Sequence, residues 1–572
     1  MENLLGPASV RRRTGRVVAL GSTAVLAAAG AGPLVMLTSS TASANAALVI
    51  STLADSGAGS LREALLDANA AAGADTITFT AGLTGTIDVL SDLPRLTGGI
   101  DLQGPGASVI TIDGGWTEAG GDSSGNALFV LDQLYVADGA STISGVTISG
   151  GNAANNENDA GGAIQKYEGD ADLTIANVVL TGNYAPNDGG AMSLYNTSGN
   201  VRIVDSTLSN NRAYDDGGAL YAWEAGGVLN LSIERVSMTG NVTESDASHG
   251  GALYANIGTG TLTISDSVIS GNYAGDEGGG LLLYATTTNI SNTTIDENVA
   301  AGGGGAILIG DQRNNYGLHT LTISNSTLSG NSAAWGGAFY ATEGANFSTV
   351  IQNSTISGNH ASSDGGAIYV GPGNTLEILQ STITDNSTDG LYENVGGIAS
   401  GDNAPLTVTG GFRDRSRIVD PDETGKLGGT NRESEAAPSV AALMTVTGSI
   451  VAGNSGNDIG TYNGSLPFVN ASHSVLGVIQ TGVTLVDGGG TQVGVTDPML
   501  GLLANNGGVT RTHALLGDSP AIDAGPDPVP VFAGNEFDQR GFGFARIAFG
   551  VADAGAFEVQ EPPAPIVPAF TG

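Results

Sequence analysis

The chain has 572 residues, among them 90 Gly, 19 Pro and no Cys, with 40% hydrophobic and 13% charged residues. Glycine at that level without a Gly-X-Y period is not collagen, and the apolar content is too high for a disordered chain, which leaves a folded, turn-rich β protein. A formal net charge of −37, from 56 acidic against 19 basic residues, repels phosphate backbones and excludes nucleic acid as an expected partner.

The first element is an address. "RRRTGR" (Arg11 to Arg16) leads into "VVALGSTAVLAAAGAGPLVML", and "ASA" (Ala42 to Ala44) or "ANA" (Ala44 to Ala46) offers small residues for cleavage, so residues 1–46 read as an export signal. The alternative is an uncleaved membrane helix over Val17 to Leu37, whose end Gly30, Gly32 and Pro33 would spoil. Cleavage leaves a mature chain with no transmembrane segment, with 15 basic against 55 acidic residues and a net charge of −40. The twin arginines leave Sec and Tat export both open. A cysteine-free exported chain has no disulfide staples, so packing and backbone pairing must hold it together.

Residues 47–115 are expected to form an N-terminal cap and the first turns. Within "SGAGSLREALLDANAAAGADTITF", Ser60 and Glu63 have capping-box spacing. Leu61, Leu65, Leu66 and Ala68 would line one side of a short helix ending near Asn69, placed to cover the exposed end of a sheet. Strands follow in "ADTITF", "GTIDVL" and "SVITIDG".

Residues 116–400 repeat themselves. Gly-Gly pairs begin at 161, 189, 217, 250, 278, 304, 336, 365 and 396, a period near 29. Asn183, Asn211, Asn272, Asn298 and Asn359 each lie six residues before such a pair. Between them "LTIANVVLTGN", "LTISDSVISGN" and "LTISNSTLSGN" alternate apolar and Ser/Thr residues with period two. That period excludes helical repeats, and the frames of leucine-rich repeats and propeller blades are absent. What fits is an all-β chain wound as a right-handed parallel β-helix, one turn per repeat, of roughly a dozen turns. Equivalent residues then stack about 4.8 Å apart, so the asparagines predict an amide ladder whose members also tolerate a left-handed bend, and the glycines mark a second corner.

The repeat text stops over 401–442, where "GFRDRSRIVDPDETGKLGGTNRESEAAPS" carries five basic and six acidic residues and reads as a solvated inserted loop. It resumes at "LMTVTGSIVAGN" (Leu443 to Asn454), opening the last turns over 443–496. Residues 497–560 form a separate C-terminal cap, and 561–572 form a Pro-rich tail.

Three stretches carry a family resemblance. "GAGSLREALLDANAAAGADTITF" resembles the CSLREA-type N-terminal module of exported bacterial β-helix proteins, with Gly59 where that module has Cys. The "GGAI", "GGAL" and "SGN" repeats are similar to those of pectin-lyase-like β-helices and polymorphic outer-membrane proteins. "DPMLGLLANNGGVTRTHALLGDSPAIDAG", "DQRGFGFAR" and "ADAGAFE" resemble the choice-of-anchor Q region. The resemblance implies a cell-surface or secreted protein. Surface anchoring and release both stay open, because "VQEPPAPIVPAFTG" has no sorting pentapeptide.

The residues just before the glycine pairs are the candidates for chemistry, with Asp188, Asp216, His249, Glu277 and Asp364 at or near one stripe. Asp188, Asp215, Asp216, Asp276 and Glu277 are candidate calcium ligands, although the fold requires no cofactor. Asp215 and Asp216 are the candidate acid and base of a hydrolase. Polygalacturonase-type Asn-Thr-Asp, Gly-His-Gly and Arg-Ile-Lys elements are absent. Arg202 and Arg212 are the basic residues in reach of a lyase role, and the five histidines are scattered, His513 reading as a packed residue. Tyr184, Tyr214, Trp223, Tyr273 and Trp335 are candidate sugar-stacking rings, whereas Tyr221, Tyr254, Tyr284, Tyr340 and Tyr369 are expected to form a structural column. The leading expectation is adhesion, or binding of polysaccharide, cell wall or another cell-surface component. A polysaccharide lyase or hydrolase and a passive structural component are the alternatives.

Overall fold

The structure, a computed structural model, describes residues 48–560 except 72–74, 120–124, 133–138, 155–159, 225, 311–318, 344–345, 391–392, 402–442 and 463–467. The signal segment 1–46, the 401–442 insertion beyond Gly401 and the 561–572 tail therefore lie outside the described residues.

One repeat makes one turn. Ile164–Tyr167 and Leu173–Ala176 are successive strands, followed by Val179–Thr181 and Tyr184–Ala185, after which Gly189 and Gly190 begin the next turn. Each strand pairs in parallel with its equivalent one repeat later, as in Ile175 with Ile203 and Leu180 with Leu208. The stacked strands form a 24-stranded sheet I, which holds the first two strands of a turn such as this one, a 14-stranded sheet II and an eight-stranded sheet III. The described residues thus form a parallel β-solenoid of about a dozen turns that, at the usual strand spacing, rises about 60 Å. Among the described residues no helix is long and apolar enough to cross a membrane.

The core follows from the period-two text. Ile175, Ile203, Ile233, Ile264, Ile290, Ile323, Ile351 and Ile378 occupy one register position in successive turns, all buried. Ile378 then pairs with Val446, so the ladder crosses the 402–442 insertion without losing register.

The corners explain the repeated words. Between sheets I and II sits a left-handed residue, usually Asn or Asp, such as Asn177, Asp205, Asp266, Asn292, Asn325 and Asn353, each with φ between 50° and 53°. The Ser or Thr after it accepts a backbone N–H from the preceding turn, as Ser354 Oγ does from Ser326 at 3.1 Å, and donates to the carbonyl two residues back. Between sheets II and III runs the amide ladder. Asn183, Asn211, Asn241, Asn272, Asn298, Asn331, Asn359, Asn386 and Asn454 are linked Nδ2 to Oδ1 at 2.8–3.0 Å, and the last donates to Asp458 Oδ1 at 2.8 Å.

Each inner amide is saturated. Asn298 Nδ2 donates to Asn331 Oδ1 and to the Ile269 carbonyl, while its Oδ1 accepts from both the backbone N–H and the Nδ2 of Asn272. The expected left-handed bend is not at the ladder asparagine but one residue earlier, at Gly182, Gly271 or Gly358, because the ladder requires an Asn whose side chain turns inward. At the third corner the two glycines differ in their reason. Gly217 needs φ of +67°, whereas a Cβ on Gly218 would meet the Gly251 carbonyl oxygen at 2.2 Å.

The N-terminal end is closed by α1 (Leu61–Ala70). Ser60 Oγ accepts from Glu63 N–H at 3.2 Å, but the reciprocal half of the capping box is displaced, since Ser60 N–H goes to the Gly57 carbonyl at 3.0 Å. Leu61, Ala64, Leu65 and Ala68 join the solenoid core; Leu66, expected on that face, is exposed, and Ala64 takes its place at helical spacing.

Residues 497–560, expected as an end cap, pack sideways along the outer face of sheet II. The outward side chains of Thr327–Ser329, Thr355–Ser357 and Thr382–Thr384 are buried there, whereas those of Val179–Thr181, Thr207–Ser209 and Ser237–Thr239 in earlier turns are not. Arg546, fully buried, donates to Asn353 and to the Gly555 carbonyl. Gln539 accepts from Thr355 Oγ1 at 2.6 Å and donates to Thr327 and Thr510 hydroxyls.

Replacing Asn298 by Ala strands the donors of Asn272 and the acceptor of Asn331 in the core. It is expected to destabilise the protein by about 3 kcal/mol, measured by urea unfolding, with Thr263→Ala on the outer face as a control within about 0.5 kcal/mol.

Candidate functional site

The corner between sheets III and I stacks the residue that precedes each glycine pair. The glycine of one turn donates its N–H to the carbonyl of that residue in the next, Gly189 to Asp216, Gly217 to His249 and Gly250 to Glu277, at 2.8–2.9 Å. Asp188, Asp216, His249 and Glu277 therefore stack in four consecutive turns. Asp364 belongs to the same column but is separated from them by Gly303 and Trp335, as the same bonding pattern shows.

The side chains are committed to one another. Asp188 Oδ1 accepts the Asp216 N–H at 3.0 Å, and Asp216 Oδ1 accepts both the His249 N–H and His249 Nδ1–H at 2.8 Å. Burial, followed by the Asp216 charge, pushes the Asp188 carboxyl well above the usual range. The half-buried Asp215 rises to about 6 for the same two reasons. Burial disfavours a charge on His249, but the Asp216 charge and hydrogen bond, backed by Glu277 and Asp276, outweigh it and lift the imidazole to about 9. The corner thus holds a buried imidazolium–carboxylate pair beside two carboxyls that bind their protons more tightly than an exposed carboxyl does.

The candidate calcium ligands are spread along this corner. Among the described residues no three His, Asp or Glu side chains converge on one point. Asp188 and Asp216, offered with Asp215, Asp276 and Glu277 as ligands, instead turn an oxygen to the backbone of the adjoining turn. Nor do Asp215 and Asp216 form an equivalent pair, since Asp216 is buried against His249 and Asp215 is half-exposed.

The aromatic candidates separate by face. Tyr184 is buried under Trp116, with ring centroids 4.7 Å apart. Trp223 stacks on Tyr195, and Tyr195 on Tyr167, along the outer face of sheet I, so their faces cover one another. Trp335 meets Tyr369 and Tyr462 edge to face. Tyr221 and Tyr254 are buried in a cluster that Tyr284 and Tyr340 border, while Tyr340 meets Tyr369 edge to face; Trp223 also borders the cluster. Among these candidates only Tyr214 and Tyr273, 54% and 42% exposed, stand out, Tyr273 on sheet III and Tyr214 just past the sheet III strand Arg212–Ala213.

Several residues escape a reading by spacing. Asn241, Asn331 and Asn386 belong to the ladder although they lie nine, five and ten residues before their glycine pairs. Lys166, absent from the basic candidates, points into the core column occupied by Leu194, reaches the Glu168 and Gly169 carbonyls, and is pushed down to about 8 by burial. His513 is indeed packed: Nδ1 donates to the Gly501 carbonyl at 2.7 Å, which leaves Nε2 to accept from Ser357 Oγ at 2.8 Å.

The geometry defines a parallel β-helix repeat protein. Residues 205–222 and 353–371 match the Chlamydia polymorphic membrane protein repeat. Both matched segments contain a sheet II strand, a ladder asparagine and a glycine pair, which together build two of the three corners. No curated protein matches the chain.

Because His249 has a raised pKa in the fold, its contribution is complete below pH 6.5 and lost as pH rises through about 9. Asp188, raised as well, acts in the same direction. The thermal midpoint is therefore expected to fall between pH 7 and 10, and to fall less steeply in His249→Gln, measured by calorimetry across that range.

Proposed function

We propose that the protein is displayed at the cell surface or secreted and binds polysaccharide along sheet III. The match to a membrane-protein repeat supports the surface address. The observation that carries binding is the pair Tyr214 and Tyr273, the two exposed rings among the aromatic candidates. Register through Arg212 and Val242 sets Tyr273 two turns beyond Arg212, so the two rings lie about 10 Å apart along the axis and are offset by two residues along the strand direction, a spacing that an extended glycan crossing the turns obliquely can span. Both residues are more exposed than Trp223 and Trp335, which leaves their rings more accessible to a sugar. On their residues alone, the N-terminal cap and the docked C-terminal segment are read as the CSLREA-type and choice-of-anchor Q-type modules.

A second reading has its own observation. Asp188 and Asp215 both hold protons more tightly than ordinary carboxyls and sit one turn apart beside this face, the disposition a glycoside hydrolase asks of its acid.

Calorimetric titration of the mature chain with a panel of soluble polysaccharides is the test. Binding to at least one is expected, and the double variant Tyr214→Ala, Tyr273→Ala should weaken it at least about tenfold, a loss typical of two stacking rings. Silence across the panel, or binding unchanged in that variant, would refute the reading. Release of reducing ends that disappears in Asp188→Asn and Asp215→Asn would instead establish the hydrolase.

A further inference from the structure

The docked segment 497–560 has a second face. Four of the five most exposed large apolar side chains among the described residues belong to it: Val531 at 95%, Phe542 at 91%, Leu502 at 89% and Val509 at 75%. Leu516 and Phe549 in the same segment are about half-exposed. A soluble surface ordinarily scatters such residues, and their concentration on one segment marks a contact.

The exposed tips adjoin. Antiparallel bridges Leu500 with Leu515 and Ala504 with Thr512 raise a hairpin that ends near Val509. Its Gly507 and Gly508 lie so close to the next loop that a Cβ would meet Phe544 and Arg540 at 2.6 Å. That loop carries Phe542, whose ring meets Phe537 edge to face at 5.6 Å, and Phe537 closes a turn on the Gly534 carbonyl just after Val531. Three polar side chains of the segment, Gln539, Arg546 and His513, are meanwhile turned to sheet II, so the docking contact does not use its most exposed apolar side chains.

We propose that this face is the contact between two copies of the chain, packed about a twofold axis. The exposed apolar side chains offer on the order of 800 Å², which is what one partner contributes to a standard interface. A twofold contact needs only one patch that matches itself. The exposed charges of the segment include Asp518, Asp523, Asp527 and Glu536, while Arg540 and Arg546 are buried. An acidic rim repels anionic lipid and anionic polymer, and it makes the dimer dependent on salt, because two like rims meet.

Sedimentation equilibrium on the mature chain tests this. A monomer–dimer equilibrium is expected whose dissociation constant falls at least about tenfold from low to molar salt. Val531→Asp with Phe542→Asp should give monomer at concentrations where the parent is dimeric, with an unchanged thermal midpoint. Leu90→Asp, at an equally exposed position outside the segment, should leave the dimer intact. A parent chain that stays monomeric at high micromolar concentration, or a dimer that survives the double substitution, overturns the proposal. A monomer that cosediments with phosphatidylcholine vesicles overturns it too and assigns the face to a lipid surface.

Discussion

Every turn of this protein is held above the last at strand spacing, so each side chain must tolerate a neighbour of its own kind at about 4.8 Å. Aliphatic residues meet that condition by packing and asparagine meets it by bonding, since a primary amide both donates and accepts along one line. Serine satisfies it at the sheet I–II corner by accepting from one turn while donating within its own. Carboxylates do not satisfy it, because two of them stacked can share no proton donor unless one stays protonated. The Asp188, Asp216 and His249 column shows the remedy: the first position holds its proton more tightly than usual and a cation is inserted at the third.

The same requirement shapes the outer faces. Period-two alternation turns Thr and Ser outward in register on sheet II, a flat field of hydroxyls with no sequence-specific purpose of its own. Over the later turns the C-terminal segment uses that field, matching Thr355, Ser357 and Thr382 with Gln539, His513 and the Ala556 N–H. Arg540 anchors the arrangement from within, paired to Asp538 and held between the rings of Phe544 and Phe557 at 4.1 and 3.7 Å. Strand text and docking text thus read each other across some 180 residues of chain, as the Thr355–Gln539 bond shows.

Local periodicity made the solenoid legible, because alternation, the glycine pair and the asparagine recur within one turn. Positions in a column are not constrained by distance to the next glycine, since corners lengthen freely, and this hid Asn241, Asn331 and Asn386 from a fixed spacing. Burial is likewise a property of the stack rather than of the repeat. Leu66 and Ala64 are indistinguishable by composition of the helix until the first turn takes one face. Tyr184 and Trp223 look like free rings until Trp116 and Tyr195 cover them. Asp215 and Asp216 look like a pair until His249, 33 residues on, claims one of them.

The amide ladder has a direction and an end. Each Nδ2 points toward the next turn, and the last meets Asp458, a carboxylate that can take two bonds and pass none on. A residue that only receives is a full stop written in hydrogen bonds. Whole turns gained or lost upstream would leave it, and the helical lid at the other end, unchanged, so that length can drift by repeats while both boundaries stay defined. The protein is in that sense modular along its axis, with its limits encoded separately from its body.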